Sequence, residues 1–384
     1  MKILYVYPQL TFPAGTERIL IDKMNYLADH VGYDVMIVTY EQDNHPIIYP
    51  LSQKVTHVDL DVRYYELYKT NFIVRLFNRR RYDNQLKRRF EQIVFSFRPD
   101  IVIATTYYAN IISAIAVARL PFVRILESHI DRRYIYENAI ENRNTYLHWF
   151  RCWTEKMSVT NKIGKFDVLV TLNDADAADW SKYLKTVIIE NIVHLNPINF
   201  YSHQDTKNVI FAGRYTPQKG VFDLLRIWTI VYRKHPDWHL NMYGNGELAD
   251  ELTEKANKLQ ANIHVNGQVL NIFEKYRAST MLLMTSIFEP FGLVIPEAMS
   301  CGLPVVAFDC PSGPANIITE GVDGYLIKDR DVNAFAEKVC YLIEHPDVRI
   351  EMGKNAIRHS ARYAPQRIMP KWISLFKELV GQNK

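Results

Sequence analysis

The chain reads as two doubly wound α/β domains of similar size. Three observations carry that reading. Short β-branched runs alternate with helical periods, which is the signature of a parallel sheet covered by helices. Most of those runs are apolar on both faces, as central parallel strands are. The alternation breaks once, in the polar stretch "NIVHLNPINFYSHQDTKN" (191–208), and then resumes.

In the first half "ILYVY", "DVMIVTY", "IVIAT", "FVRILES", "DVLVTL" and "VIIEN" read as strands. Helical segments fall between them, among them 17–30, 75–97 and 145–162. In the second half "NVIFAGR", "HLNMYG", "IHVNG", "MLLMTS" and "PVVAF" are the strands, with helices from about Gly220 and from Glu247. The domain expectation is residues 1–195 and 196–363. The last segment, "YAPQRIMPKWISLFKELVG", is an amphipathic helix with Trp372, Leu375, Phe376 and Leu379 on one face.

Bulk properties exclude several classes. A length of 384 residues suits two domains, and 48% apolar residues are ample for two cores. A net charge of +4 is too mild to imply nucleic acid. The four cysteines, Cys152, Cys301, Cys310 and Cys340, have no metal-ligand spacing and read as free thiols of a reducing compartment. "MKILYVYPQL" is cut off too early by Pro8 and Gln9 for a signal peptide. "IVIATTYYANIISAIAVA" (101–118) lacks charge, but its polar centre fits a strand, a loop and a packed helix better than a membrane span.

Open α/β sheets hold ligands in the loops at the carboxyl ends of their strands. Three such loops stand out. In "PQLTFPAGTERIL" (8–20), Gly15 and Thr16 precede a helix whose free N–H groups suit a phosphate; the plainer reading is a turn with Thr16 as N-cap. In "RYTPQKG" (214–220), a short turn holds Arg214 and Lys219 together, which suits a diphosphate; the plainer reading is two solvated charges. In "EPFGLVIPEAMSCGLPVVAF" (289–308), Pro296 marks a helix start. Glu289 then lies in the loop and Glu297 in the first helical turn, so the two carboxylates do not form an acid–base dyad on one face. The amides of Phe291, Gly292, Leu293 and Val294 could hold a phosphate or sugar between them. The plainer readings are an exposed loop acid for Glu289 and, for Glu297, a helix-dipole contribution of roughly half a kcal/mol.

Ser312 and Gly313 in "DCPSGPANII" form a further turn after a strand. His129 in "ESHIDRR" sits at a strand end, where a ligand contact competes with a structural role. "GNGELA" (244–249) is too weak alone for a dinucleotide site. The acidic pairs "DAD" (174–176) and "DLD" (59–61) resemble metal ligands, but the first is expected to cap a helix. No metal is expected.

Taken in order, "AGTER", "GRYTPQKG", "EPFGLVIPEAMSCGLPVVAF" and "GVDGYLI" resemble the GT-B glycosyltransferases of family 4, the retaining group with an E-x7-E motif. The resemblance covers nearly the whole chain, with Ala14 standing where the first of two glycines is commoner. It implies two Rossmann-like domains facing a central cleft, an N-terminal acceptor domain, and a final helix (364–384) crossing back onto it. It implies that Gly15 donates its backbone N–H to the distal phosphate and that Arg214 and Lys219 clamp the leaving diphosphate. Glu289 would face the donor sugar, Phe291 to Val294 would contact sugar and phosphates, and Glu297 would hold the ribose. His129 matches the family histidine near the transferred sugar.

The function so implied is metal-independent hexosyl transfer, with no cofactor beyond the donor, from a nucleotide sugar (a UDP-sugar) to a glycan acceptor, lipid-linked, in bacterial surface polysaccharide assembly. The alternatives are a nucleotide-sugar epimerase, a phosphorylase, or a non-catalytic nucleotide-sugar-binding protein. "RLFNRRRYDNQLKRRF" (75–90) places seven basic residues against Asp83, with Leu76, Phe77, Tyr82, Leu86 and Phe90 interleaved. It reads either as a helix lying on an anionic membrane or as one whose apolar side packs on its own domain; the resemblance favours the membrane. The expected location is the cytoplasm, peripheral to the inner face of the cytoplasmic membrane.

Overall fold

The computed structural model describes residues 1–69, 71–132, 161–196, 205–269 and 271–382. Two compact units emerge: Met1–Ile192 with Ile368–Lys384, and Val193–Arg367.

The first unit is built on a seven-stranded sheet of order β3-β2-β1-β4-β5-β6-β7. Its strands are β1 (Lys2–Val6), β2 (Asp34–Thr39), β3 (Val55–Asp59), β4 (Ile101–Thr105), β5 (Val123–Glu127), β6 (Val168–Thr171) and β7 (Thr186–Ile188). Every pairing is parallel. The burial pattern explains the continuous apolar runs. Ile3, Tyr5, Ile37, Ile101, Ile103 and Ile125 face one core, while Leu4, Val6, Val38, Val102, Ala104 and Leu126 face the other. Alternate residues point to opposite faces, so both sets must be apolar when both faces are covered.

The first core is closed by the Pro365–Gln382 helix, whose Trp372, Leu375, Phe376 and Leu379 are all buried in it. The second core is closed by the long Phe72–Phe97 helix and the Ala109–Val117 helix. Leu86 and Phe90 are fully buried there, beside Val94, Ile111 and Ile115. The apolar side of this half of the basic helix therefore packs on its own unit, while Arg80, Arg81 and Arg88 are exposed. The side chains of Leu76 and Phe77, the segment 133–160 that holds most of the expected 145–162 helix, and Cys152 lie outside the described residues.

The second unit carries a six-stranded sheet of order β10-β9-β8-β11-β12-β13, again all parallel. The strands are β8 (Asn208–Ala212), β9 (His239–Tyr243), β10 (Ile263–Asn266), β11 (Met281–Met284), β12 (Val305–Phe308) and β13 (Gly324–Ile327). Trp228 and Phe335, from the Val221–Lys234 and Val332–Glu344 helices, are fully buried in its core. Cys301, Cys310 and Cys340 are buried free thiols. No described helix is long and apolar enough to cross a membrane.

Two details of the helix starts differ from expectation. The first helix begins at Gly15, with Ala14 as N-cap and no side-chain cap, so Thr16 lies inside the first turn. The helix after Glu289 begins at Val294, which puts Pro296 at its third position. A proline fits anywhere in a first turn, because those N–H groups have no intrahelical acceptor to lose.

Candidate functional site

Both sheets reverse their strand order once, between β1 and β4 and between β8 and β11. A crevice opens at such a point because neighbouring loops diverge to opposite faces. The chemically unusual loops follow these strands.

In the second unit the loops after β8 and β11 are bound to each other. Pro217–Lys219 forms a single 3₁₀ turn. Ile287 N–H donates to the Gln218 carbonyl at 2.8 Å, Gln218 Nε2 to the Phe288 carbonyl at 3.0 Å, and Thr285 Oγ1 to the Lys219 carbonyl at 3.0 Å. Gly220 makes this closeness possible. Its φ is +60°, and an added Cβ would stand 2.0 Å from the Thr285 oxygen. The result is an ion pair between Lys219 Nζ and Glu289 Oε2, with side chains only 16% and 10% exposed. Ser286 Oγ adds a hydrogen bond to the same carboxylate oxygen at 3.3 Å. Lys219 and Glu289 are thus neither a solvated cation nor an exposed loop acid. Arg214, by contrast, is exposed at the end of β8, with no side-chain partner among the described residues.

The Ser312–Gly313 turn is joined to the same place. Gly313 N–H donates to the Glu289 carbonyl at 2.6 Å, and Ser312 forms a bridge with Glu289. Ser312 holds a φ of +83°, a conformation that costs a side-chain-bearing residue about 1–3 kcal/mol. Beyond Glu289, the N–H groups of Phe291, Gly292, Leu293 and Val294 have no acceptor among the described residues. Four unspent donors at a helix start are suited to an anion. Glu297, one turn on, is buried and accepts from the Tyr276 hydroxyl at 3.4 Å. The structure therefore gathers Lys219, Glu289, the 291–294 amides and the 312–313 turn at one strand-end crevice.

Arg330 is a residue of this site that sequence reasoning passes over. It donates to the carbonyls of Thr285 at 3.0 Å and Ser286 at 2.7 Å, and pairs with Asp223 at 2.9 Å. It thereby fixes the backbone that leads into Glu289. Nothing in "LIKDRDVN" marks it locally. The "GNGELA" segment has a structural use in the same loop set: Tyr215 N–H donates to the Asn245 carbonyl at 2.9 Å, and Leu248 N–H to the Tyr215 carbonyl at 3.0 Å.

In the first unit Gly15 is exposed at its helix start after β1, and the N–H groups of Gly15 and Thr16 have no acceptor among the described residues. His129 follows β5. Its Nε2 lies 2.9 Å from Glu127 Oε2, and that oxygen also holds Lys23 Nζ. Lys23 and Glu127 side chains are each 2% exposed, and His129 7%. Lys23 Nζ sits 4.3 Å from the Trp372 ring centroid and 5.9 Å from that of Tyr5, a cation–π arrangement. Burial alone would push Glu127 up, but Lys23 and His129 outweigh it and hold it at about 2. Burial outweighs Glu127 at the other end and keeps Lys23 below its ordinary range. His129 Nδ1 and Glu127 Oε1 are buried without a hydrogen-bond partner among the described residues. Tyr107, at the end of β4, and Phe12, after β1, are exposed aromatics at the same strand-end edge.

The acidic pairs are explained locally. Asn173, not an aspartate, caps the Asp174–Trp180 helix by accepting from Asp176 N–H at 2.8 Å. Asp59 accepts from Thr39 Oγ1 at 2.9 Å. Among the described residues no group of three or more His, Cys, Asp or Glu side chains is placed to hold a metal.

Residues 206–345 match the family model described as glycosyl transferases group 1. Over 383 residues the chain is 27% identical to the amylovoran biosynthesis glycosyltransferase AmsD of Erwinia amylovora, covering 97% of this chain and 98% of that one. Among solved structures, TarM superposes with a TM-score of 0.78 at 16% identity, covering 98% of each chain. Anabaena HepE in complex with UDP gives a TM-score of 0.74 at 18% identity, covering 98% of this chain and 100% of that one. Residues 206–345 thus match a group 1 glycosyltransferase domain, and the chain as a whole has the GT-B fold of these solved structures.

Proposed function

We propose that this protein is a retaining, family 4 glycosyltransferase. It moves a hexose-type sugar from a UDP-sugar to a lipid-linked glycan in bacterial surface polysaccharide assembly, without a metal. The observation that carries the reading is the Lys219–Glu289 pair set beside four unspent amides at the β8/β11 switch point. AmsD is named for amylovoran biosynthesis, and HepE holds UDP on the same fold.

The chemistry follows from charge. Breaking the bond to the donor sugar leaves negative charge on a diphosphate. Lys219 and the 291–294 amides are fixed donors that stabilise it where it develops, and the exposed Arg214 adds a further cation. Lys219 shared between Glu289 and the diphosphate would orient the carboxylate toward the sugar's positive face. The departing phosphate oxygen takes the acceptor's proton on the side it leaves, so configuration is kept without a protein nucleophile. Glu297 holds the ribose, and His129 contacts the transferred sugar.

Titration of UDP and UDP-sugars, followed by product analysis with and without acceptor glycans, tests this. Glu297→Ala should weaken UDP at least tenfold, the value of one lost charge-assisted hydrogen bond of about 1.4 kcal/mol or more. Unchanged UDP affinity would overturn the role of Glu297. Conversion of the sugar without an acceptor would indicate an epimerase, consumption of inorganic phosphate a phosphorylase, and binding without turnover a non-catalytic receptor.

A further inference from the structure

Outside the β8/β11 crevice, a second concave site lies wholly within the first unit. It is a groove of about 320 Å³ between the Phe72–Phe97 and Ala109–Val117 helices. Arg79, Asp83 and Lys87 line it from the first helix, at positions i, i+4 and i+8. Ala109, Asn110, Ser113 and Val117 line it from the second. Eight residues at 1.5 Å each make it about 12 Å long. Lys162 closes it, donating to Ser113 Oγ at 2.8 Å.

The lining is unbalanced in charge: three cations against one carboxylate. That carboxylate, Asp83, already accepts from the Tyr64 hydroxyl at 2.8 Å. Lys87 has no ion pair or hydrogen bond among the described residues, and Lys162 has no carboxylate partner among them. Asn110 uses its oxygen locally, accepting from Ile111 N–H at 2.9 Å and the Tyr40 hydroxyl at 3.4 Å. The groove is therefore rich in donors, and the N-terminal end of the Ala109–Val117 helix adds positive potential at Ala109 and Asn110. Apolar Ala109 and Val117 complete the walls.

We propose that this groove binds a phosphate ester, and that in the reaction it holds the phosphate of a phosphorylated acceptor. Lys87 and Lys162, two cations with no carboxylate partner among the described residues, match a dianion such as a phosphate monoester or a diphosphate. The volume is about ten times the roughly 30 Å³ that one water occupies in the liquid, enough for such a group with part of the polyol or chain attached. The groove begins where β4 ends, at the edge where open α/β sheets carry ligands. The ligand's identity as an acceptor rests on the transferase reading; the anion site does not.

The experiment is calorimetric titration of the full chain with inorganic pyrophosphate and with glycerol phosphate. Saturating UDP is present, so that a donor diphosphate site is filled. Lys87→Ala, which removes a side chain with no partner, and Lys87→Ala/Lys162→Met should weaken both probes at least tenfold. Arg80→Gln/Arg81→Gln/Arg88→Gln, on exposed positions outside the groove, should not. No probe binding by the wild type, or equal binding by the Lys87 variants, would overturn the proposal. Vesicles of anionic phospholipid form a second arm. Vesicle binding lost with Lys87 identifies a lipid headgroup as the source, whereas vesicle binding unaffected by Lys87, with the soluble probes still lost, identifies a water-soluble phosphate ester. UDP affinity, read in the same titrations, fails independently if the transferase reading is wrong.

Discussion

Glu127→Gln is the most informative single change in the first unit. The carboxylate is 2% exposed and answers two partners, Lys23 and His129. Its drop from 4.5 to about 2 corresponds to about 3 kcal/mol favouring the charged form. An independent route gives a similar figure: removing one partner of a buried ion pair leaves the other charge uncompensated and costs about 3–5 kcal/mol. The pair's net value is smaller than either number, because burial holds Lys23 below its ordinary range. The cost of Glu127→Gln should therefore be largely recovered by adding Lys23→Met. Native-state hydrogen exchange of the β1 and β5 amides reads the first unit directly. The single variant should lower their opening free energy by about 3 kcal/mol, and the double variant by less than about 1.5 kcal/mol. In wild type the Glu127 contribution should hold above pH 4.5 and fade as pH falls toward about 2. A Glu127→Gln loss under about 0.5 kcal/mol, the range of a neutral surface change, would refute the reasoning. So would a double variant as unstable as the single one.

Two further outcomes follow from the same geometry. Burial, with repulsion from Asp131, raises Asp176 to about 7 against the hydrogen bonds from Ser128 and Arg132 N–H. A carboxyl raised in the folded state favours folding fully below pH 3.8 and loses that advantage as pH rises through 7. Chemical denaturation should find wild type weaker at pH 8 than at pH 5, and Asp176→Asn should remove most of that difference, on the order of 2–4 kcal/mol. A pH profile unchanged by the variant would sink this account. Gly220→Ala forces a Cβ to within 2.0 Å of the Thr285 oxygen at a φ of +60°. It should cost at least about 1–3 kcal/mol and weaken UDP, because the β8 and β11 loops must part; wild-type UDP affinity and thermal stability in this variant would contradict the packing argument.

Much of the fold is legible locally. A strand buried on both faces has to be a continuous apolar run, so β1, β4, β5, β8 and β11 announce themselves in "ILYVY", "IVIAT", "FVRILES", "NVIFAG" and "MLLMTS". Parallel strands joined by helices in turn place ligand loops at strand ends, which is why 214–220 and 289–297 are visible as candidates. Helix starts are less legible, as Thr16 and Pro296 show, because several first-turn positions tolerate the same residues. The basic helix misleads in one respect: Leu86 and Phe90 look like a membrane face, and only the sheet beneath them shows that they are already covered.

What the sequence by itself determined is the alternation, the two sheets and the residue types at their strand ends. What only the tertiary structure decided is which charges meet. Lys23 and Glu127 lie 104 residues apart, Lys219 and Glu289 70, and Arg330 and Thr285 45. A lysine in an amphipathic helix carries no local mark of burial. Strand and helix are written in short-range periodicity, but a buried ion pair exists only once non-neighbouring strands close the sheet and remove the water between its partners.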